Sequence, residues 1–391
     1  MYYECNRSDN YKMNLNKVFF NAVLNEISIE KDILVRIKRD DLNYVPVRVL
    51  KSLPLLDRYK IKRPLYFVIN ICYLGVVPFF YAYKLIKSLI SSKRYYNSVL
   101  SYRIKRKVVV LANSRVYSLF QKINSDKNVT YFDVNQDFTP SESNHVSVKN
   151  ILNYSDYFKA YIFSIASVVY TFVHLKDKAN LLQTYMAYDW FLTYIALDKI
   201  KQDIDEVIFA NHYDRWATMF DQLFISKKIV LLQHGLLPKD LELSYKLQNI
   251  DVIYRFNIAS EELFKKLFKC KEVEFEKLDS TISLQEVDSN EKSILIIGQP
   301  QSMDREIDII RTLKKGTSYE IYIKPHPLFA TIAYESIEGI HLIKDKNFFP
   351  RVDLALSYES TLGLEYESSG VKVLWYKDLN KSQIINEIKN I

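Results

Sequence analysis

Glycine is scarce in this sequence, with 7 among 391 residues, and none stands in a P-loop or GxGxxG pattern. The glycine-rich ways of cradling a phosphate are therefore excluded. Cysteine is scarcer still. Cys5, Cys72 and Cys270 lie far apart with no CxxC, which argues against a disulfide framework and a structural zinc site, and fits a reducing compartment. The amino terminus lacks the basic-then-apolar layout of a cleaved signal peptide. There is also no basic block. The net charge of +8 comes from Lys and Arg spread along the chain, so a nucleic-acid partner is not expected, while anionic lipid or a phosphorylated substrate fits the balance.

Hydrophobic residues make up 48% of the chain, ample for sizeable cores, and the length implies two or three domains. Aromatics are abundant, with 30 Tyr and 22 Phe, and the frequency of Asn, Lys, Ile and Tyr together fits an AT-rich genome. Residues 1 to about 60 are polar and mixed, with strand-like runs at Asp32–Ile37 and Val45–Leu50. Pro64 to Tyr83 then carries twenty residues without a charge, flanked by Lys60, Lys62 and Arg63 before and Lys84, Lys87, Lys93 and Arg94 after. That length just reaches a bilayer span, but Asn70, Gly75 and Pro78 interrupt it and cations on both sides set no orientation. A monotopic helix or hairpin in one leaflet fits the same facts, as does a buried core helix.

From Lys105 onward, short buried-strand runs alternate with helical stretches. Val108–Ala112, Val129–Val134, Glu206–Ala210, Ile229–Leu232 and Asp251–Tyr254 read as parallel strands, with long helices over Tyr157–Leu175 and Asn180–Ile200. A charged, irregular stretch at 271–292 suits a linker. A second series follows, with strands at Ser293–Gly298, Glu320–Ile323, Ile340–Ile343, Leu354–Ser357 and Val371–Tyr376, and helices at Asp304–Leu313 and Gly363–Ser369. The expectation is α/β: two Rossmann-like doubly wound domains with an N-terminal extension carrying an apolar helical segment. Its boundaries are 1–104 for the extension, 105–270 for the first domain, 271–292 for the linker and 293–391 for the second domain.

Ligands of parallel sheets bind beyond the carboxyl ends of the strands, where helix N-termini and free backbone N–H groups collect. The polar motifs fall there. Asn211-His212-Tyr213-Asp214-Arg215, Gln233-His234-Gly235 and Lys324-Pro325-His326-Pro327 each follow a predicted strand, Gln299 ends another, and Ser360-Thr361 lies between a strand and a helix. The prolines hold Lys324 and His326 on a rigid turn suited to gripping phosphate; a turn whose histidine closes a backbone hydrogen bond is the plain alternative. Ser360 and Thr361 can cap the helix or join its N–H groups around a phosphate. Glu365, one turn on, can accept from ribose hydroxyls or can be a first-turn carboxylate favoured by the helix dipole. His234 and Asp214 are the candidate bases toward an acceptor hydroxyl, and a structural Asp–Arg pair at a helix start is the alternative for Asp214 beside Arg215.

A KPHP turn after a strand, then about thirty residues later Ser-Thr-x-Gly-x-Glu and Gly370-Val371-Lys372-Val373, resembles the donor half of GT-B glycosyltransferases of bacterial surface polysaccharides. The pattern is similar to capsule and lipopolysaccharide transferases that use CMP-Kdo or CMP-sialic acid-like donors. Gln233-His234-Gly235 also resembles an element of teichoic-acid glycerophosphotransferases. The match covers about residues 206–376. It implies that Lys324, His326, Ser360, Thr361, Glu365 and Gln299 bind the nucleotide and its phosphate, with Asp214 or His234 catalytic and His212, Arg215 and Gln233 supporting. It implies a CMP-linked donor, an oligosaccharide or lipid-linked glycan acceptor, and peripheral contact with the cytoplasmic face of a bacterial inner membrane. The acidic Asp/Glu-Asp/Glu-Gly motif of many bacterial sialyltransferases is missing, so the base is sought at Asp214 or His234. No DxD stands at a strand end, so neither metal nor cofactor is expected, and cationic and helix-dipole groups take the leaving phosphate. A CDP-polyol phosphotransferase, a UDP-sugar transferase or epimerase, and a non-catalytic membrane-associated capsule component are the alternatives.

Overall fold

The computed structural model describes residues 14–36, 63–95, 104–111, 114–123, 128–134, 144–237, 239–280, 282–287, 291–326 and 332–390. The chain divides into two compact units, one of Met1–Leu232, Pro238–Tyr254 and Leu263–Glu276, the other of Gln233–Leu237, Arg255–Glu262 and Lys277–Ile391.

Before the first sheet come α1 (Leu15–Arg36) and α2 (Arg63–Tyr95). The strand expected at Asp32–Ile37 is instead, through Arg36, the end of α1. The buried stripe Val18, Ala22, Val23, Ile27 and Glu30 recurs every three to four residues, and that helical period carries the β-branched tail with it. The run Val45–Leu50 lies outside the described residues. The apolar segment Pro64–Tyr83 belongs to α2, which continues without a break through Gly75 and Pro78, so it is one helix and not a hairpin.

The first sheet follows with β1 (Lys107–Leu111), α3 (Ser114–Ile123), β2 (Val129–Asp133), β3 (His145–Ser147), α4 (Val148–Ile151), α5 (Tyr154–His174) and α6 (Ala187–Ile200). The expected helix Asn180–Ile200 begins as a 3-10 stretch over Lys178–Met186. Then come β4 (Glu206–Phe209), α7 (Arg215–Leu223), β5 (Lys228–Leu232), β6 (Val252–Arg255), α8 (Ile258–Leu267) and β7 (Glu274–Lys277). The sheet order is β3-β2-β1-β4-β5-β6-β7. Strand β7 falls inside the stretch read as a linker. Its sequence Glu-Phe-Glu-Lys is mostly exposed at the sheet edge, where charges guard against further pairing and hide the strand from a hydrophobicity reading.

The second unit contains β8 (Ser293–Ile297), α9 (Met303–Gly316), β9 (Glu320–Lys324), α10 (Ile332–Glu335), β10 (His341–Leu342), β11 (Leu354–Ser357), α11 (Thr361–Ser368), β12 (Lys372–Trp375) and α12 (Lys381–Lys389). Its sheet order is β10-β9-β8-β11-β12, and its pairings are parallel. Alternate residues serve opposite faces. Ile294, Ile296, Ile321, Ile323, Leu354 and Leu356 meet Ile310, Leu313 and Ile384 on one face. Leu295, Ile297, Tyr322 and Ala355 meet Tyr366 and Val371 on the other. Fully burying such a side chain contributes about 1.5–3 kcal/mol, and covering both faces is why these strands read as continuous apolar runs. Each unit is thus a Rossmann-like, doubly wound α/β fold.

Candidate functional site at the carboxyl ends of the second sheet

In the second sheet the chain order reverses between β8 and β11, the point where an open parallel sheet leaves a crevice beyond its carboxyl ends. Gln299 follows β8, Pro325-His326 follow β9, and Ser360-Thr361 open the helix after β11. Parallel neighbours stand about 4.8 Å apart, so the ends of β9 and β11, with β8 between them, are roughly 10 Å apart. That gap is on the scale of a nucleotide phosphate group with its ester links.

Gly298 lets these ends approach. A Cβ there would lie 3.2 Å from Pro325 Cα and 3.2 Å from the Tyr334 hydroxyl, and its N–H donates to the Lys324 carbonyl at 2.9 Å. The Gln299 side chain donates to the Glu359 carbonyl at 2.5 Å and accepts from Gln301 at 2.6 Å. It thereby fixes the backbone just before Ser360. Gly363 does the same from the helix side. A Cβ there would fall 2.7 Å from Trp375 and 2.8 Å from Ser357 Oγ, so glycine seats α11 against β11 and β12.

Ser360 caps α11, its hydroxyl accepting from Leu362 N at 3.3 Å. The Ser360 N–H donates to Ser357 Oγ at 3.2 Å. Thr361 Oγ1 accepts from Leu236 N at 3.2 Å, within the same compact unit, which brings the loop Gln233–Leu237 onto the start of α11. Both hydroxyls use a lone pair on a backbone N–H and keep their own proton to donate. With the positive end of the helix dipole beside them, the arrangement favours an anion.

Gln233 is fully buried and holds the loop that carries His234. Its amide donates to the Gly235 carbonyl at 3.1 Å and to Ser260 Oγ at 3.0 Å, while its carbonyl accepts from Phe256 N at 2.9 Å. His234 is half-buried on this loop, one residue before Gly235.

Other candidates sit differently from expectation. The Lys324 ammonium donates to the carbonyls of Asp345 at 2.8 Å and Phe348 at 2.9 Å and lies over the Phe349 ring. It clasps a neighbouring loop instead of standing clear as a phosphate grip, and burial lowers its pKa. His326 is half-buried, and burial likewise holds its imidazole below the ordinary value; it is a neutral donor or acceptor in the resting protein. Pro327 lies outside the described residues. Glu365 is buried in the body of α11, so it is not the first-turn surface carboxylate that the helix dipole alone would favour.

In the first unit, Asp214 is the N-cap of α7. One carboxylate oxygen accepts from Trp216 N at 2.9 Å and Ala217 N at 3.0 Å, the other from Asn211 at 2.7 Å. Arg215 has its direct ion pair with Glu26, and Asp214 is a lesser electrostatic neighbour. Its buried guanidinium reaches Glu26 of α1, with Nε to Oε1 at 2.9 Å and Nη2 to Oε2 at 2.8 Å. His212 is buried edge-on to Phe264. Asp214 and Arg215 thus brace the start of α7. Among the described residues, no group of three or more His, Cys, Asp or Glu side chains is placed to hold a metal ion. A surface pocket of about 770 Å³ beside Phe264, Phe268 and Phe275 is lined by residues of the first unit alone.

Sequence reading passed over Glu306. It is fully buried in the first turn of α9, and one oxygen accepts from Gln299 N at 3.0 Å, Ser302 Oγ at 2.5 Å and the Tyr376 hydroxyl at 3.0 Å. Its other oxygen accepts from the Tyr334 hydroxyl. Burial raises its pKa against these four hydrogen bonds. One carboxylate thus ties together the segments after β8, β9 and β12. The signal was present: residue 306 shares the stripe of Ile309, Ile310 and Leu313, a spacing that turns it inward.

No protein-family profile matches the chain, and no curated protein matches its sequence. Among solved structures, it is similar to the UDP-GlcNAc 2-epimerase of Neisseria meningitidis bound to UDP-GlcNAc, at 11% identity and TM-score 0.45 over 73% of this chain and 90% of that one. It is also similar to S. aureus MnaA in complex with UDP, at 12% identity and TM-score 0.41 over 73% of this chain and 82% of that one.

Proposed function

We propose that this chain is an enzyme acting on a nucleotide-activated sugar, with the nucleotide phosphate held at the carboxyl ends of β8, β9 and β11. The observation that carries this reading is the junction of Gln299, Ser360 and Thr361 at the reversal point of the second sheet, where two hydroxyls and a helix N-terminus converge. His326 faces the phosphate as a neutral imidazole that takes up a proton as the anion arrives. His234, on the loop seated against Thr361, accepts the proton of the attacking hydroxyl, and the departing phosphate is stabilised by the α11 amides and the Ser360 and Thr361 hydroxyls. The reaction is transfer of the sugar to a glycan hydroxyl, with a CMP-linked ulosonic acid as donor. The donor class rests on the His-Pro and Ser-Thr motifs and their resemblance to capsule-type transferases.

A thermal-shift comparison of CMP, CDP, UDP and GDP tests it. The reading expects a nucleotide-dependent rise in melting temperature that Thr361→Val removes. A response to CMP alone supports the ulosonic-acid donor. A response to UDP alone replaces that donor with a UDP-sugar, the nucleotide of the solved neighbours. No response to any of the four refutes the nucleotide-sugar reading itself.

A further inference from the structure

Helix α5 has an unusual outer face. It buries the polar Asp156, Ser164, Ser167 and Thr171 beside Tyr157, Ala160 and Val168, and turns Phe158, Ile162, Val169 and Val173 to the outside. Three of these buried polar groups have partners: Ser164 donates to the Ala160 carbonyl at 2.5 Å, Ser167 to Asn16 at 2.6 Å, and Asp156 meets Lys199. Helix α2, which packs against α5, repeats the pattern. Asn70 is buried and accepts from Leu182 N at 2.6 Å, and Tyr81 donates to the Thr184 carbonyl at 2.7 Å. Meanwhile Phe79 is 75% exposed and Ile90 62% exposed. A water-facing helix presents charges outward, and contiguous apolar patches beyond a few hundred Å² mark an interaction site. Two adjoining helices that bury polar residues among their core contacts while turning long apolar stripes outward call for an apolar exterior.

The charges at its border select the occupant. Arg63–Tyr95 contains five basic residues and no acidic one. Lys87 is exposed, Lys149 lies near enough for Lys87 to add to the lowering of its pKa by burial, and Lys159 is exposed at the start of the α5 stripe. A second copy would set these cations against their like, whereas an anionic headgroup layer complements them. A span is disfavoured as well, because the buried stripe from Asn70 to Ser92 fastens α2 along the first unit for most of its length.

We propose that α2 and α5 together form an in-plane docking face for an anionic phospholipid bilayer, inserting their apolar stripes to headgroup depth without crossing. This goes beyond the nucleotide-sugar reading and does not depend on it. The test is co-sedimentation of the full chain with vesicles of phosphatidylcholine containing one-third phosphatidylglycerol, and with phosphatidylcholine alone. The expected result is binding to the anionic vesicles that weakens about tenfold on neutral ones or in high salt. Phe79→Glu combined with Ile162→Glu should lower partitioning by at least about tenfold while leaving the melting temperature in solution unchanged, since both residues are exposed. A polarity-sensitive dye on Cys72, an exposed thiol of α2, in a Cys5→Ser, Cys270→Ser background should shift to the blue on the same vesicles. Failure to bind either vesicle, undiminished binding by the double variant, or a dimer that the double variant disperses would overturn the proposal.

Discussion

Replacing Glu306 by alanine should unfold the second unit more readily than any surface change in it. The carboxylate receives one backbone N–H and three hydroxyls at a point with no access to water. Hydrogen bonds to a charged group contribute about 1.5–3 kcal/mol each, and they do not add, because the donors relax together. Removing the carboxylate leaves buried donors unsatisfied, each at about 1–3 kcal/mol and not additively, so about 3–5 kcal/mol is the expectation for Glu306→Ala. Glu306→Gln keeps an acceptor oxygen and should cost less than half as much. The pH dependence supplies a second sign. The folded pKa is raised by burial, so the stability linked to this proton is fully present below the unfolded value of about 4.3 and is lost as pH rises through the folded value. The advantage of the wild type over Glu306→Gln should therefore be largest in acid and shrink toward neutrality. Hydrogen exchange in β8 and α9 under increasing urea reads the second unit separately from the first. A loss below about 1 kcal/mol for Glu306→Ala, or an advantage that grows with pH, would refute the reasoning.

Three further outcomes follow from the same geometry. Arg215→Met strands the buried Glu26 carboxylate and should destabilise the first unit by about 3–5 kcal/mol, measured by urea unfolding; a change under 1 kcal/mol would mean the pair is not buried as described. Gly363→Ala places a methyl against Trp375 and Ser357 and should cost about 1–3 kcal/mol. It should also weaken nucleotide binding in calorimetry, because Ser357 positions Ser360. His326 is held below its ordinary value by burial, and a bound phosphate favours its protonated form. Nucleotide affinity should therefore rise as pH falls through the histidine range, and His326→Ala should flatten that slope in pH-resolved calorimetry.

Much of the fold was legible because buried parallel strands announce themselves. Leu354–Ser357 was bounded to the residue, and β1, β4, β5 and β8 to within one, since β-branched apolar runs ending in polar turns have few other uses. What hid was the edge. In β7 the charges that protect a sheet margin are the residues that make a strand look like a linker. At the site, the motifs stood where the strand ends put them, but their partners were set by chain distant in sequence. Lys324 is claimed by carbonyls 21 and 24 residues away, and Arg215 by a carboxylate 189 residues away. No local spacing encodes such encounters. Glu306 shows the converse, since its helical register already pointed it at the core.

The most direct test of the central claim is hydrogen exchange of the full chain with and without saturating CMP or UDP. If the nucleotide phosphate binds at the reversal point of the second sheet, protection should rise at residues 298–302, 357–363 and 233–237 together, and Thr361→Val should abolish it. Protection confined to the first sheet, or none with either nucleotide, would contradict the account.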